Sequence, residues 1–175
     1  MLKALFLDRD GIINVDHNYI YKIEDFQFIH GIFELIKLFL KHDYHIYIVT
    51  NQSGIGRGYY SSSDFKNLTD WMLLEFKKRD IIIEEVYHCP HTPNDNCICR
   101  KPKIGMIQAC INKYPIDLTS SWLIGDKQSD IMLAHHAKIG SSIAIGTQPI
   151  DNATFNFKTL LECKEYLEEN QDIIS

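Results

Sequence analysis

The sequence predicts a three-layer α/β fold, a mostly parallel central sheet covered on both faces by helices, and three observations carry that prediction. Short apolar runs recur at residues 2–7, 45–49, 81–87, 121–124 and 142–145, each the length of a strand and apolar enough to be buried on both sides. Segments of helical period separate them, so the order is strand, helix, strand, which implies right-handed crossovers. Polar and charged residues gather just after the runs, where the C-terminal edge of a parallel sheet opens a crevice able to hold them beside phosphate, metal and water.

The first run ends in Asp8-Arg9-Asp10-Gly11. Residues 12–29 form a long connection containing Asp16, His17, Asn18 and Tyr19, expected to supply substrate contacts or a partial lid and too short for a separate cap domain. A helix is predicted over 31–40 from its apolar face, and a second over 62–76 behind a serine-rich start. Thr50 closes the second run, followed by the polar, flexible stretch Asn51-Gln52-Ser53-Gly54-Ile55-Gly56-Arg57. Helices over 104–114 and 129–137 flank the fourth run, which leads into Gly125-Asp126. A packing helix is expected over 156–167, then a fraying tail over 168–175. The 175 residues suit one domain spanning 1–175.

Composition narrows the function classes. With 45% hydrophobic and 23% charged residues, the chain reads as folded and soluble rather than disordered. Its 18 basic and 23 acidic residues give a net charge of −5, which speaks against broad nucleic-acid binding or attraction to an anionic membrane. No run is long and apolar enough for a membrane span and no signal-like start is visible, so a cytoplasmic location is expected.

The strand-end residues suit metal-assisted phosphoryl transfer. Asp8 and Asp10, at i and i+2 on an extended segment, can face the same side, Asp8 to attack phosphorus and Asp10 to protonate the leaving oxygen and then activate water. Asp126 with Asp8 offers oxygen ligands for Mg²⁺, the Asp10 carbonyl is a further one, and Asp130 orients the cluster. Thr50 and Lys101 balance the transferring phosphoryl group, while the planar fork of Arg100 suits a second phosphate or another substrate oxygen. Arg57 and Lys103 are second choices. An isolated pair of aspartates can merely cap a loop; five such residues after successive elements of one sheet leave the structural alternative with several unpaired polar groups.

A second constellation lies within residues 88–103. Cys89, His91, Cys97 and Cys99 make a complete tetrahedral set for a structural Zn²⁺ that would brace a loop with little core of its own and hold Arg100 and Lys101 near the phosphate. An ordinary surface turn with chance cysteines is the alternative. His88 fits the ligand spacing less well than His91, and Cys110 and Cys163 read as buried thiols.

Together, DRDG, TNQSGIGRG, CPH followed by CICRKP, and GDKQSD resemble the histidinol-phosphatase branch of the haloacid dehalogenase superfamily, over nearly the whole chain. The resemblance implies a Rossmann-like haloacid-dehalogenase fold without a large cap and with a zinc-binding loop. It implies Asp8 as nucleophile, Asp10 as acid and base, and Mg²⁺ at Asp8, Asp10 and Asp126. It further implies Thr50 and Lys101 on the phosphoryl group and Zn²⁺ at Cys89, His91, Cys97 and Cys99. Substrate contacts are implied for Asp16, His17, Asn18, Tyr19, Asn51, Gln52, Ser53 and Arg100, with Lys127 supporting the metal loop. The implied reaction removes the 7-phosphate of a phosphorylated heptose, a heptose 1,7-bisphosphate, in a monomer. Histidinol phosphate is the alternative substrate, and a noncatalytic zinc-stabilised phosphosugar-binding protein the alternative class. A DNA-end phosphatase is less favoured because no extended basic, aromatic strand is present.

Overall fold

A computed structural model describes residues 1–175. Six strands, β1 (Lys3–Leu7), β2 (Tyr44–Asn51), β3 (Ile83–Cys89), β4 (Trp122–Gly125), β5 (Ser141–Ile145) and β6 (Phe155–Phe157), form one sheet in the order β3-β2-β1-β4-β5-β6. Every pairing is parallel. The chain reverses its direction of travel across the sheet between β1 and β4, which is where open α/β sheets form their ligand crevice.

Alternation along the strands makes two cores. Leu5, Leu7, Ile46 and Ile48 point to one face and pack under α1 (Ile32–Lys41), α3 (Ser62–Lys77) and α6 (Leu160–Glu169). Ala4, Phe6, Tyr47 and Val49 point to the other, under α4 (Gly105–Lys113) and α5 (Gln128–His136). Each fully buried Leu, Ile or Phe contributes about 1.5–3 kcal/mol of transfer free energy, so both faces must stay covered. Local sequence sets the helix starts: Ser61 and Asp64 form a capping box at α3, and Thr159 accepts from the Glu162 N–H at α6.

The sequence-based expectations differ from the fold in four places. β2 continues through Thr50 and Asn51, so these residues belong to the strand rather than follow it. The stretch after it is not a loose polar loop, because Ser53–Gly56 forms a helical turn, α2, seated on the Tyr60 ring. Residues 155–157 form an edge strand and the last helix begins only at Leu160, because Phe155 pairs with Ile143 and stacks on Trp122 at 5.9 Å. The tail does not fray: Ile174 is fully buried after a 3₁₀ turn over Gln171–Ile173, supplying apolar contact that the polar residues around it conceal. No helix is long and apolar enough to cross a membrane.

Candidate active site

β1 and β4 end side by side and deliver Asp8 and Asp126. With Asp130 from the first turn of α5, their carboxylate oxygens lie within 4.8 Å of one another. Lys101 Nζ is inserted among them, 2.6 Å from Asp130 Oδ1, 2.9 Å from Asp8 Oδ1 and 3.0 Å from the Val49 carbonyl, and its side chain is only 2% exposed. Asp130 also accepts from the Lys127 N–H at 3.1 Å, which ties the metal loop to the start of α5. Two glycines make this density possible. A Cβ on Gly11, whose φ is +91°, would lie 2.2 Å from Asp126 Oδ2, and one on Gly125 would lie 2.2 Å from Asp130 Cβ.

The electrostatics favour a cation beside the carboxylates. Three carboxylates face one buried ammonium, that of Lys101, and Lys127 acts on Asp126 from the cleft side. Burial, with Asp130 adding to it against Lys101, raises the Asp8 carboxyl to about 7, and burial raises Asp126 to about 6. Burial works against the Lys101 ammonium, yet Asp130 and Asp8 together hold its affinity for the proton above the ordinary lysine value. Asp126 Oδ1 is buried without a hydrogen-bond partner. A divalent ion with oxygen preference fits this donor set, with Asp8 and Asp126 as its side-chain ligands; Asp130 is occupied by Lys101 and Lys127.

Asp10 sits at the inner end of a cleft of about 250 Å³ lined also by Asp16, Asn18, Tyr19, Asn51, Gln52, Ser53, Arg100 and Lys127. Nine residues expected at the site thus meet around one opening. Thr50 is fully buried behind Gln52, its Oγ1 accepting from Gln52 Nε2 at 2.9 Å. Asn51 accepts from the Lys101 N–H at 3.0 Å and so fixes the backbone that carries the ammonium. Arg100 donates to the His91 carbonyl at 3.4 Å, and Lys127 pairs with Asp16 at 3.1 Å. Burial opposes the drop, but the Asn18 N–H and Lys127 hold the Asp16 carboxyl below its usual value. His17 is not brought into this cleft. It lines a neighbouring hollow with Tyr21, Asp25 and Tyr59, because the left-handed pair Asn18 and Tyr19, at φ 61° and 54°, turns the loop between them. Lys103 points away to Asn96 Oδ1 and the Cys97 carbonyl, and Arg57 is exposed outside the cleft.

Sequence reasoning missed Arg9, Asn14 and Tyr60. Arg9 is 1% exposed and forks onto Asp10; Asn14 donates to Asp10 Oδ1 at 3.0 Å, and the Tyr60 hydroxyl donates to Gln52 Oε1. The available signal was an arginine between two aspartates at the end of a buried strand, a charge that cannot stay there unpaired.

Cys89, His91, Cys97 and Cys99 converge beside the cleft with ligand atoms within 4.8 Å of one another. Sγ of Cys89 lies 3.0 Å from that of Cys99 and 3.6 Å from that of Cys97. His88 lies outside the cluster, stacked on Phe65 at 4.2 Å, and Cys110 and Cys163 are fully buried.

Residues 5–145 match the family model described as polynucleotide kinase 3 phosphatase, a span running from β1 to the end of β5. The D-glycero-alpha-D-manno-heptose-1,7-bisphosphate 7-phosphatase of Campylobacter jejuni is 49% identical over 95% of this chain and 96% of its own. The chain belongs to the heptose-1,7-bisphosphate 7-phosphatase family of the haloacid dehalogenase superfamily. Another member of this 7-phosphatase family, the beta-anomer phosphatase of Helicobacter pylori, is 41% identical over 95% of this chain and 94% of its own. The crystal structure of the D,D-heptose 1,7-bisphosphate phosphatase from B. bronchiseptica, complexed with magnesium and phosphate, superposes with a TM-score of 0.82 at 25% identity, covering 97% of this chain and 99% of that one.

Proposed function

We propose that residues 1–175 form a single-domain, Mg²⁺-dependent phosphatase that removes the 7-phosphate of D-glycero-D-manno-heptose 1,7-bisphosphate and leaves heptose 1-phosphate. The observation that carries this reading is the buried Asp8–Lys101–Asp130 chain beside Asp126, with Asp10, two residues on from Asp8, lining a cleft that also holds Arg100 and Lys127. One end suits phosphoryl transfer, and the other offers Arg100, with Lys127 paired to Asp16 beside it, to a phosphate that is retained.

In this reading Asp8 attacks phosphorus, and Lys101 and Thr50 hold the oxygens that gain charge. Asp10 protonates the leaving sugar oxygen, then takes a proton from the water that cleaves the aspartyl phosphate. Mg²⁺, held by Asp8, the Asp10 carbonyl and Asp126, supplies charge neutralisation of the phosphoryl group. Arg100 and Lys127 face the 1-phosphate, with Asp16, Asn18, Tyr19 and Ser53 around the sugar. Asp130 orients Lys101.

Cys89, His91, Cys97 and Cys99 hold a structural Zn²⁺ on the same reading. Three thiolates and one imidazole with no open position suit that ion. The zinc loop carries Arg100 and Lys101, so bracing it braces the site. The enzyme is taken as a cytoplasmic monomer acting on a soluble phosphosugar.

Phosphate release is measured with Mg²⁺ on both anomers of the heptose bisphosphate, on histidinol phosphate and on a 3′-phosphorylated DNA end. A heptose bisphosphate is expected to be the preferred substrate, with Asp8→Asn abolishing turnover. Preference for histidinol phosphate, or for the DNA end suggested by the matched family description, would redirect the assignment. Binding without release would favour a noncatalytic phosphosugar-binding protein.

A further inference from the structure

We propose that Arg9 and Gln52 are positioning residues for Asp10, clamping its carboxylate from two sides so that Oδ2 faces the phosphoryl site, with Tyr60 locking the Gln52 amide. This rests on the assignment of Asp10 as the acid that protonates the leaving oxygen.

The donors around Asp10 divide unevenly between its two oxygens. Oδ1 accepts from Arg9 Nη2 at 2.8 Å, Arg9 Nε at 3.3 Å and Asn14 Nδ2 at 3.0 Å, which fills its lone pairs. Oδ2 accepts from Gln52 Nε2 at 2.8 Å and shares Arg9 Nη2 at 3.1 Å. Oδ2 is therefore the less heavily bonded oxygen, two donors against three, and the one that can exchange a shared N–H for a proton. Gln52 Nε2 also reaches Thr50 Oγ1 at 2.9 Å, so one amide nitrogen sets the separation between the acid and the hydroxyl expected to bind the phosphoryl group.

The orientation of that amide is determined by its partners. A carboxylate and a hydroxyl oxygen on one side call for N–H donors, so the carbonyl of Gln52 must face away, and the Tyr60 hydroxyl is there to donate to it. Tyr60 is itself held: its ring stacks on Tyr21 at 5.1 Å and an interplanar angle of 8°, and Gly54 lies so close that a Cβ there would fall 2.1 Å from the ring. On the other side Arg9 Nη2 donates to the Ile20 carbonyl at 2.8 Å. The clamp thus links Asp10 to the loop that carries Asp16, Asn18 and Tyr19. Gln52, expected from the sequence to touch substrate, has its amide taken up by Asp10, Thr50 and Tyr60.

The step served is proton transfer. As the bond from Asp8 to phosphorus forms and the bond to the sugar oxygen breaks, the Oδ2 proton moves to that oxygen and Asp10 is left as the carboxylate. The same carboxylate then takes a proton from the attacking water as the aspartyl phosphate is hydrolysed.

An alkyl phosphate needs that proton on its leaving group, whereas p-nitrophenyl phosphate leaves as a stable phenolate. The test compares kcat/KM for heptose bisphosphate and p-nitrophenyl phosphate in Gln52→Met, Arg9→Lys, Tyr60→Phe and the Gln52→Met/Tyr60→Phe double variant, with melting temperatures alongside. Gln52→Met is expected to lose about tenfold or more on the alkyl ester, a part of the roughly 10²–10⁴-fold that a general acid supplies, and to lose several times less on the aryl ester, where only its contact with Thr50 counts. Arg9→Lys keeps the charge but loses the fork and is expected to show the same selective loss. Tyr60→Phe, which keeps the ring stack and the fold, is expected to move in the same direction and to add nothing to Gln52→Met. Equal losses on both esters, or additive losses in the double variant, would overturn the proposal. If the wild type prefers another alkyl phosphate, the heptose assignment fails while the comparison is made on that ester. A wild type that cleaves only the aryl ester overturns the proposal itself.

Discussion

Lys101→Met tests the buried charge arrangement most directly. The ammonium is the only cation between Asp8 and Asp130, with side chains of the pair to Asp130 exposed by 2% and 0%. Removing one partner of a buried ion pair costs about 3–5 kcal/mol, because the remaining charge stays buried without compensation. For a chain of this size each kcal/mol shifts the melting temperature by about 2–4 °C, so a fall of roughly 6–20 °C is expected in metal-free protein. Loss of one oriented electrostatic partner of the transition state costs about 3 kcal/mol more in the reaction barrier, roughly a hundredfold in rate. The two effects separate in the double variant Lys101→Met/Asp130→Asn. Its neutral amide can still accept from the Lys127 N–H and removes one of the two carboxylates left without a cation, so part of the stability returns while turnover does not. Thermal melts by circular dichroism and single-turnover phosphate release measure the two. A Lys101→Met melt within 2 °C of wild type, on the order of 1 kcal/mol or less, would refute the reasoning, as would recovery of rate in the double variant.

Metal-free stability and pH should be linked with a definite sign. Burial raises the Asp8 carboxyl to about 7 and Asp126 to about 6, so their contribution is greatest below the ordinary carboxylate value and is lost as pH rises through those figures. Mg²⁺ relieves the same repulsion and is expected to raise the melting temperature more at pH 8 than at pH 5; an equal rise at both would contradict the assignment of the ion to these carboxylates. Cys97→Ser is expected to lower bound zinc well below one per chain, measured by elemental analysis, and to lower kcat through the loop bearing Arg100 and Lys101. Unchanged zinc content would remove Cys97 from the ligand set.

Much of the site was legible because chemistry and topology coincide in it. Asp8, Thr50 and Asp126 each stand at or next to a strand end in the sequence and Lys101 just ahead of a helix, and burial of such groups demands partners, so their convergence could be argued from order. Tyr60 was not legible, since nothing local tells which amide satisfies a buried phenol, whereas the partner of Arg9 is the adjacent Asp10. That His17 lines the adjoining hollow rather than the cleft could not be read from spacing, which does not reveal the two consecutive left-handed residues after it. β6 escaped notice for a related reason: three residues, Phe155–Phe157, have too little periodicity to declare a strand, and only pairing with β5 and the stack on Trp122 decide it.

Gly11 and Gly125 have a consequence for anyone wishing to alter what this protein accepts. The space beside each α-carbon already belongs to a carboxylate, 2.2 Å from where a Cβ of Gly11 would stand in one case and to the Asp130 side chain in the other. A randomised library that includes either codon is expected to yield mostly inert clones wherever a residue other than glycine is drawn. Diversity is better directed to Asn18, Tyr19 and Ser53, which face the opening and leave that crowded floor untouched.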